Sequence, residues 1–210
     1  MKKKNELEEP KNQNGEEQKM DLKAEILSWV KMFAVTLIGV LILTQCIIIN
    51  ARVPSGSMEN TIMTKSRIIG FRFAYWFAEP QRGDIVVFQY PVDEKVNYIK
   101  RIIGLPGETV EIRDGKVYID GSDIPLDENY LKEEWTWEND GYTFEVPEDC
   151  YFVMGDNRNR SEDARFWVDI ALREGIADSE EEAEQYSFVR DDQIKGKAIF
   201  CYYPSIYMLK

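Results

Sequence analysis

The chain has 210 residues, 44% of them hydrophobic, enough to enclose one core with a small satellite. A formal net charge of -12 argues against nucleic acid as a partner, because phosphate binding needs a basic stripe. Histidine is absent altogether and no Cys-x-x-Cys occurs, so no zinc site is recognisable and the usual base of a serine nucleophile is missing.

In chain order, residues 1–24 are rich in lysine and glutamate, with Pro10, Asn12, Asn14 and Gly15, and read as a disordered tail. An almost wholly apolar run follows from Met32 to Ile49, and Leu27, Trp29 and Val30 extend it upstream. Its unbroken core of about 18 residues makes roughly 27 Å of helix, close to the hydrocarbon thickness of a bilayer. It lacks the polar face of a core helix and the small-x-small exit of a cleaved leader. Residues 25–49 are therefore expected to form a single transmembrane helix, although Gln45 to Ile49 also fit a strand. Lys2, Lys3, Lys4, Lys11, Lys19, Lys23 and Lys31 precede the span and a net-acidic region follows. The positive-inside rule then leaves the N-terminus cytoplasmic and everything after residue 50 extracytoplasmic, in a cell membrane.

Beyond the span, β-branched and aromatic runs at 84–90, 109–113, 116–119, 150–154 and 196–200 predict strands. Asp114-Gly115 predicts a hairpin between the second and third, and Asp120-Gly121 a turn after it. Residues 168–187 break this pattern and predict a helical insert, with Asp178 or Ser179 as cap before an acidic first turn. Cys150 and Cys201 read as two buried unpaired thiols, with a disulfide as the alternative if this part of the chain faces an oxidising space.

Three segments carry candidate chemistry. Pro54-Ser55-Gly56-Ser57-Met58 can expose a hydroxyl at a bend, a few residues past the membrane exit. Such a segment is ordinarily loop chemistry; its position is what singles it out. In Tyr98-Ile99-Lys100-Arg101 the strand period puts Tyr98 and Lys100 on one face. Lys100 would ordinarily be a solvated lysine, and can serve as a base only if burial lowers its pKa from about 10.4 toward neutrality. Gly155 to Arg165 is dense in hydroxyl, carboxylate and guanidinium groups, either as an ordinary polar loop or as a network bracing a site.

Together with Arg82-Gly83-Asp84-Ile85-Val86-Val87-Phe88, these segments resemble, in order and approximate spacing, the boxes of type I signal peptidases. Those are membrane-anchored Ser-Lys proteases, and the resemblance covers roughly residues 25–204. It implies a mainly β fold, an antiparallel-sheet catalytic domain over 50–108 and 148–210 with a small β cap over 109–147. It makes Ser57 the nucleophile, Lys100 the general base, and the Ser55 hydroxyl with the Ser57 N–H the oxyanion hole. Ser161 would hold the Lys100 amine, while Asp163, Arg165, Arg101 and Asp156 would form bracing ion pairs. Ala51, Val53 and Met58 on one side, with Asn97, Tyr98 and Ile99 on the other, would receive an extended peptide. Implied partners are signal-peptide-bearing secretory precursors, the lipid bilayer and a nearby secretion channel; no metal or organic cofactor is implied.

The chain departs from the family pattern in three places. Asn60 stands where a proline is usual, and little effect is expected there. Residues 168–187 replace a short loop and are read as a surface decoration, with a regulatory or docking element as the alternative. The stretch before Cys150 is short, which makes the second domain a reduced cap. Two other functions fit less well: a self-cleaving repressor, which the span and the lack of a DNA-binding helix pair disfavour, and an inactive anchored module, which the presence of Ser57, Lys100 and Ser161 disfavours.

Overall fold

The computed structural model describes residues 22–210, so most of the tail expected at 1–24 lies outside the described residues. Helix α1 spans Leu22–Ile42, a π-helical turn Leu43–Ile47 and strand β1 Ile48–Arg52. The helical segment Leu22–Ile47 is, among the described residues, the one helix long and apolar enough to cross a membrane. The helical stretch thus starts three residues earlier and ends two residues sooner than the expected 25–49, since Ile48 and Ile49 join a sheet. The chain divides into a unit ending at Ile42 and a unit of Leu43–Lys210.

In the second unit the strands are β2 (Arg67–Phe71), β3 (Ile85–Tyr90), β4 (Asp93–Gly104), β5 (Thr109–Arg113), β6 (Lys116–Ile119), β7 (Tyr142–Glu145), β8 (Cys150–Met154), β9 (Val189–Arg190), β10 (Ile194–Tyr203) and β11 (Tyr207–Met208). The larger sheet runs β1-β2-β10-β3-β4-β8-β9, with β11 on β10, and all its pairings are antiparallel. Strand β3 is central, and its apolar sequence has the reason that both its faces are covered. Val86, Phe88 and Tyr90 join one core cluster, while the alternating Ile85 and Val87 join another with Ile49, Val53, Met58 and Ile62. Full burial of a side chain such as Phe88 stabilises by about 1.5–3 kcal/mol.

The expected cap is a three-stranded antiparallel sheet, β6-β5-β7, rather than a single hairpin. Its first turn is Asp114-Gly115, both at positive φ, as a two-residue hairpin loop demands. Val110, Ile112, Val117 and Val146 belong to the same core cluster as Phe152 and Phe88, so the cap has no core of its own. The insert contains helices α2 (Trp167–Arg173) and α3 (Glu180–Ala183), and the Ser179 hydroxyl caps the second by accepting from the Glu182 N–H. It is not a mere decoration: Ile170, Ala171, Ala177 and Ala183 are buried in the main core. The apolar residues that marked it as helical had to be covered, and the core is what covers them. Cys150 and Cys201 are free thiols.

Candidate active site

Ser57 lies in the turn between β1 and β2, buried to 4% exposure against Lys100 of β4. The Lys100 amine, 3% exposed, donates a 2.7 Å hydrogen bond to Ser57 Oγ. The exposed Ser55 hydroxyl stands 3.3 Å from the same oxygen. Burial pushes the Lys100 pKa down to about 8; Asp163, Glu162 and Asp156 pull it upward, while Arg165 adds to the lowering. Desolvation dominates because no carboxylate touches the amine, whose one hydrogen bond is to a hydroxyl.

The turn is anchored from the loop after β8. The Asn157 N–H donates to the Ser57 carbonyl and the Asn157 side-chain amide to the Gly56 carbonyl, each at 2.9 Å. Gly155 permits this approach, since a Cβ there would collide with the Ser57 carbonyl and the Ser161 side chain. Two buried ion pairs stiffen the loop. Arg101 grips Asp156 through Nε at 2.8 Å and a terminal nitrogen at 2.7 Å. Arg165 grips Asp163 at 2.7 and 3.1 Å, and Asp163 also accepts from the Gly155 N–H at 2.9 Å. Burial works to raise the Asp163 carboxyl, but Arg165, with help from Lys100, holds it below the usual carboxylate range.

The four ion-pair residues therefore form two separate bidentate pairs. Ser161 is buried as well, yet its hydroxyl finds no partner, so the expected bond to the Lys100 amine is not formed. A third buried pair escaped the sequence reading. Arg158 meets Glu128 from the segment between β6 and β7, with side chains only 1% and 6% exposed. Nothing in spacing announces it, because its carboxylate lies 30 positions away in an irregular stretch.

A cleft of about 290 Å³ opens beside the pair. Ala51, Val53, Ser55 and Ser57 line one side, Asn97, Tyr98, Ile99 and Lys100 the other, with Ile68 and Val87 between them. Of the residues expected to receive a peptide, Met58 is the exception: it is wholly buried in the core with Ile62, and the cleft lining does not include it. The Met58 carbonyl accepts from the Thr61 and Ile62 N–H groups, a tight turn that carries residue 58 away from the strand line of 51 and 53. Both flanking strands have open edges here. Strand β1 pairs with β2 alone, and β4 pairs with β8 only from Arg101 onward. Tyr98 is fixed from behind by stacking on Tyr90 at 4.3 Å and by the edge of Trp167, the first residue of α2, immediately before the insert.

A serine oxygen held by a desolvated lysine, with a second hydroxyl alongside and an open-edged apolar cleft, is suited to acyl transfer on an extended peptide. The sequence model of the family described as signal peptidase, peptidase S26, matches residues 26–203. Signal peptidase I of Leptolyngbya laminosa is 42% identical over 125 residues, covering 55% of this chain and 58% of that protein. Signal peptidase I P of Bacillus subtilis subsp. natto is 32% identical over 167 residues, covering 76% of this chain and 89% of the relative. The probable signal peptidase I-2 of Synechocystis sp. is 43% identical over 121 residues, and as with the Leptolyngbya protein the chain spans little more than half its length, 53%. The crystal structure of a signal peptidase I from Enterococcus faecalis matches 57% of this chain and 96% of its own at 33% identity, with a TM-score of 0.40.

Proposed function

This chain belongs to the signal peptidase family, peptidase S26, and on that premise we propose that it is a membrane-bound serine endopeptidase that removes N-terminal signal peptides from exported precursors. The observation that carries the reading is the 2.7 Å contact between a buried Lys100 amine and Ser57 Oγ. With a pKa of about 8, set by burial, roughly a tenth of the Lys100 population is neutral at pH 7.

The neutral amine accepts the Ser57 proton as Oγ attacks the scissile carbonyl carbon. The carbonyl oxygen becomes an oxyanion, stabilised by the Ser55 hydroxyl and the Ser57 N–H. Collapse of the tetrahedral intermediate breaks the C–N bond, and the Lys100 ammonium protonates the leaving amine, which is the new N-terminus of the mature protein. The signal peptide remains as an ester on Ser57. Lys100, neutral again, deprotonates a water that attacks this ester, and the proton it gained returns to Ser57 as the peptide acid departs. The bidentate pairs Arg101–Asp156 and Arg165–Asp163 hold the surrounding loop, and the Asn157 contacts hold the nucleophile turn.

The substrate lies extended between the open edges of β1 and β4, its backbone pairing with them and alternate side chains entering the cleft. Ile68, Val87 and Ile99 leave little depth there, which favours small residues next to and two before the cut bond. Leu22–Ile47 anchors the enzyme in the cell membrane, with the N-terminus cytoplasmic and the catalytic unit outside, near the secretion channel that delivers precursors.

The test is cleavage of a precursor carrying an Ala-x-Ala site by the detergent-solubilised protein, beside folded Ser57→Ala and Lys100→Ala. The reading requires cutting after the last Ala that both substitutions abolish; cutting that survives Lys100→Ala would remove the proposed base.

A further inference from the structure

Asn60, the departure expected to have little effect, has φ +90, a conformation proline cannot take and few residues tolerate. Its side-chain amide reaches across to the segment joining β6 and β7, donating to the Tyr130 carbonyl at 2.9 Å and the Leu131 carbonyl at 3.3 Å. The neighbouring Glu59 accepts from the Lys132 amine at 2.7 Å. The segment held in this way, residues 128–137, lies as a strap over the bracing network. The Tyr130 ring sits 4.0 Å from the Arg101 guanidinium, and the Lys132 N–H donates to the Asp156 carbonyl at 3.4 Å. Trp135 lies under the guanidinium groups of both Arg158 and Arg165. The Asn159 side chain accepts from Thr136 N–H at 3.0 Å and donates to the Glu134 carbonyl at 2.8 Å.

The strap therefore touches a member of each of the three buried ion pairs, and Asn60, three residues beyond the nucleophile, ties it to the turn that carries Ser57. We propose that Asn60 is a positioning residue, a latch that locks strap, nucleophile turn and ion-paired loop into one body so that Ser57 keeps its register with Lys100. Asparagine suits both demands of the position. It tolerates a positive φ better than most residues, and its amide donates hydrogen bonds to two carbonyls of the strap.

A latch has a consequence that a merely structural contact lacks. The groups facing the Lys100 amine are Asp163, Arg165, Glu162 and Asp156, alongside the Ser57 hydroxyl and the Tyr98 ring, whose centre is 5.7 Å away. Two of these, Arg165 and Asp156, lie directly beneath the strap. Loosening it admits water to these groups, weakens the desolvation of Lys100 and raises its pKa toward that of a free lysine.

The inference rests on the proposed peptidase reading, and the experiment separates the two. The full chain in detergent is assayed on an Ala-x-Ala precursor as kcat, KM and the pH profile of kcat/KM, with Ser57→Ala in parallel and thermal melting as a check on folding. Asn60→Gly keeps the backbone relaxed and removes only the amide; Asn60→Asp keeps the shape and turns the donor into an acceptor. We expect Asn60→Gly to lower kcat about ten-fold through displacement of the reacting groups. KM should stay within about two-fold and the ascending limb of the profile should move above the wild-type midpoint. Asn60→Asp should do more in the same sense, and it carries the test alone if the glycine variant does not fold. Wild-type kcat and midpoint in the folded variants, beside a dead Ser57→Ala, would overturn the latch and leave the peptidase reading standing. A fall in rate with an unmoved midpoint would overturn it too, as a loss of folded enzyme only. Ser57→Ala cutting at the wild-type rate would overturn both.

Discussion

Lys100 and Arg101 are neighbours on β4, buried to 3% and 2% exposure, and they lead opposite electrostatic lives. On the Arg101 side, Asp156 matches the guanidinium with two hydrogen bonds and Tyr130 covers it. On the Lys100 side no carboxylate makes contact, and the one hydrogen bond goes to a hydroxyl. Burial of a matched cation leaves a fixed charge that braces structure. Burial of an unmatched one pushes the Lys100 pKa down to about 8, as the proposed base requires. The strand period separates the two functions by a single residue.

The comparison breaks most visibly at Lys100 itself. Lys100→Arg retains a cation that cannot deprotonate, and should lower kcat by about four orders of magnitude or more while the fold persists. Lys100→Met should be equally inactive yet at least as stable as wild type, because it removes a buried ion without a carboxylate partner; melting curves of the two variants check this. On the other side, Asp156→Ala should destabilise the protein by about 3–5 kcal/mol in denaturant titration, since it strands the Arg101 charge. A smaller and purely kinetic effect is expected from Ser55→Ala. Loss of one oxyanion donor should lower kcat about 100- to 1000-fold with melting unchanged.

What the sequence made legible divides along the same line. The Ser57–Lys100 pairing and the long apolar N-terminal helix are legible because each sits in a short contiguous motif with its own composition. So is the Asp114-Gly115 hairpin, whose two positive φ values only a few residue types accept. The strap was not readable. Glu128, Tyr130 and Trp135 have neither strand nor helix period, and their partners Arg158, Arg101 and Arg158 lie far away along the chain. The orientation of Met58 is not legible from its motif position, because the turn after Ser57 places that side chain in the core. The insert is legible as helical but not as part of the core, since the surface that Ile170, Ala171, Ala177 and Ala183 meet is assembled only by folding.

The claim that an unmatched, desolvated lysine is the base is tested most directly by the pH dependence of kcat/KM for precursor cleavage by the full chain. A group whose pKa is lowered to about 8 by burial becomes neutral as pH rises through that value, so activity should climb with pH along an ascending limb of midpoint near 8. A limb that rises only near 10.4, the value of a solvated lysine, or a profile flat between pH 6 and about 9, would contradict the account.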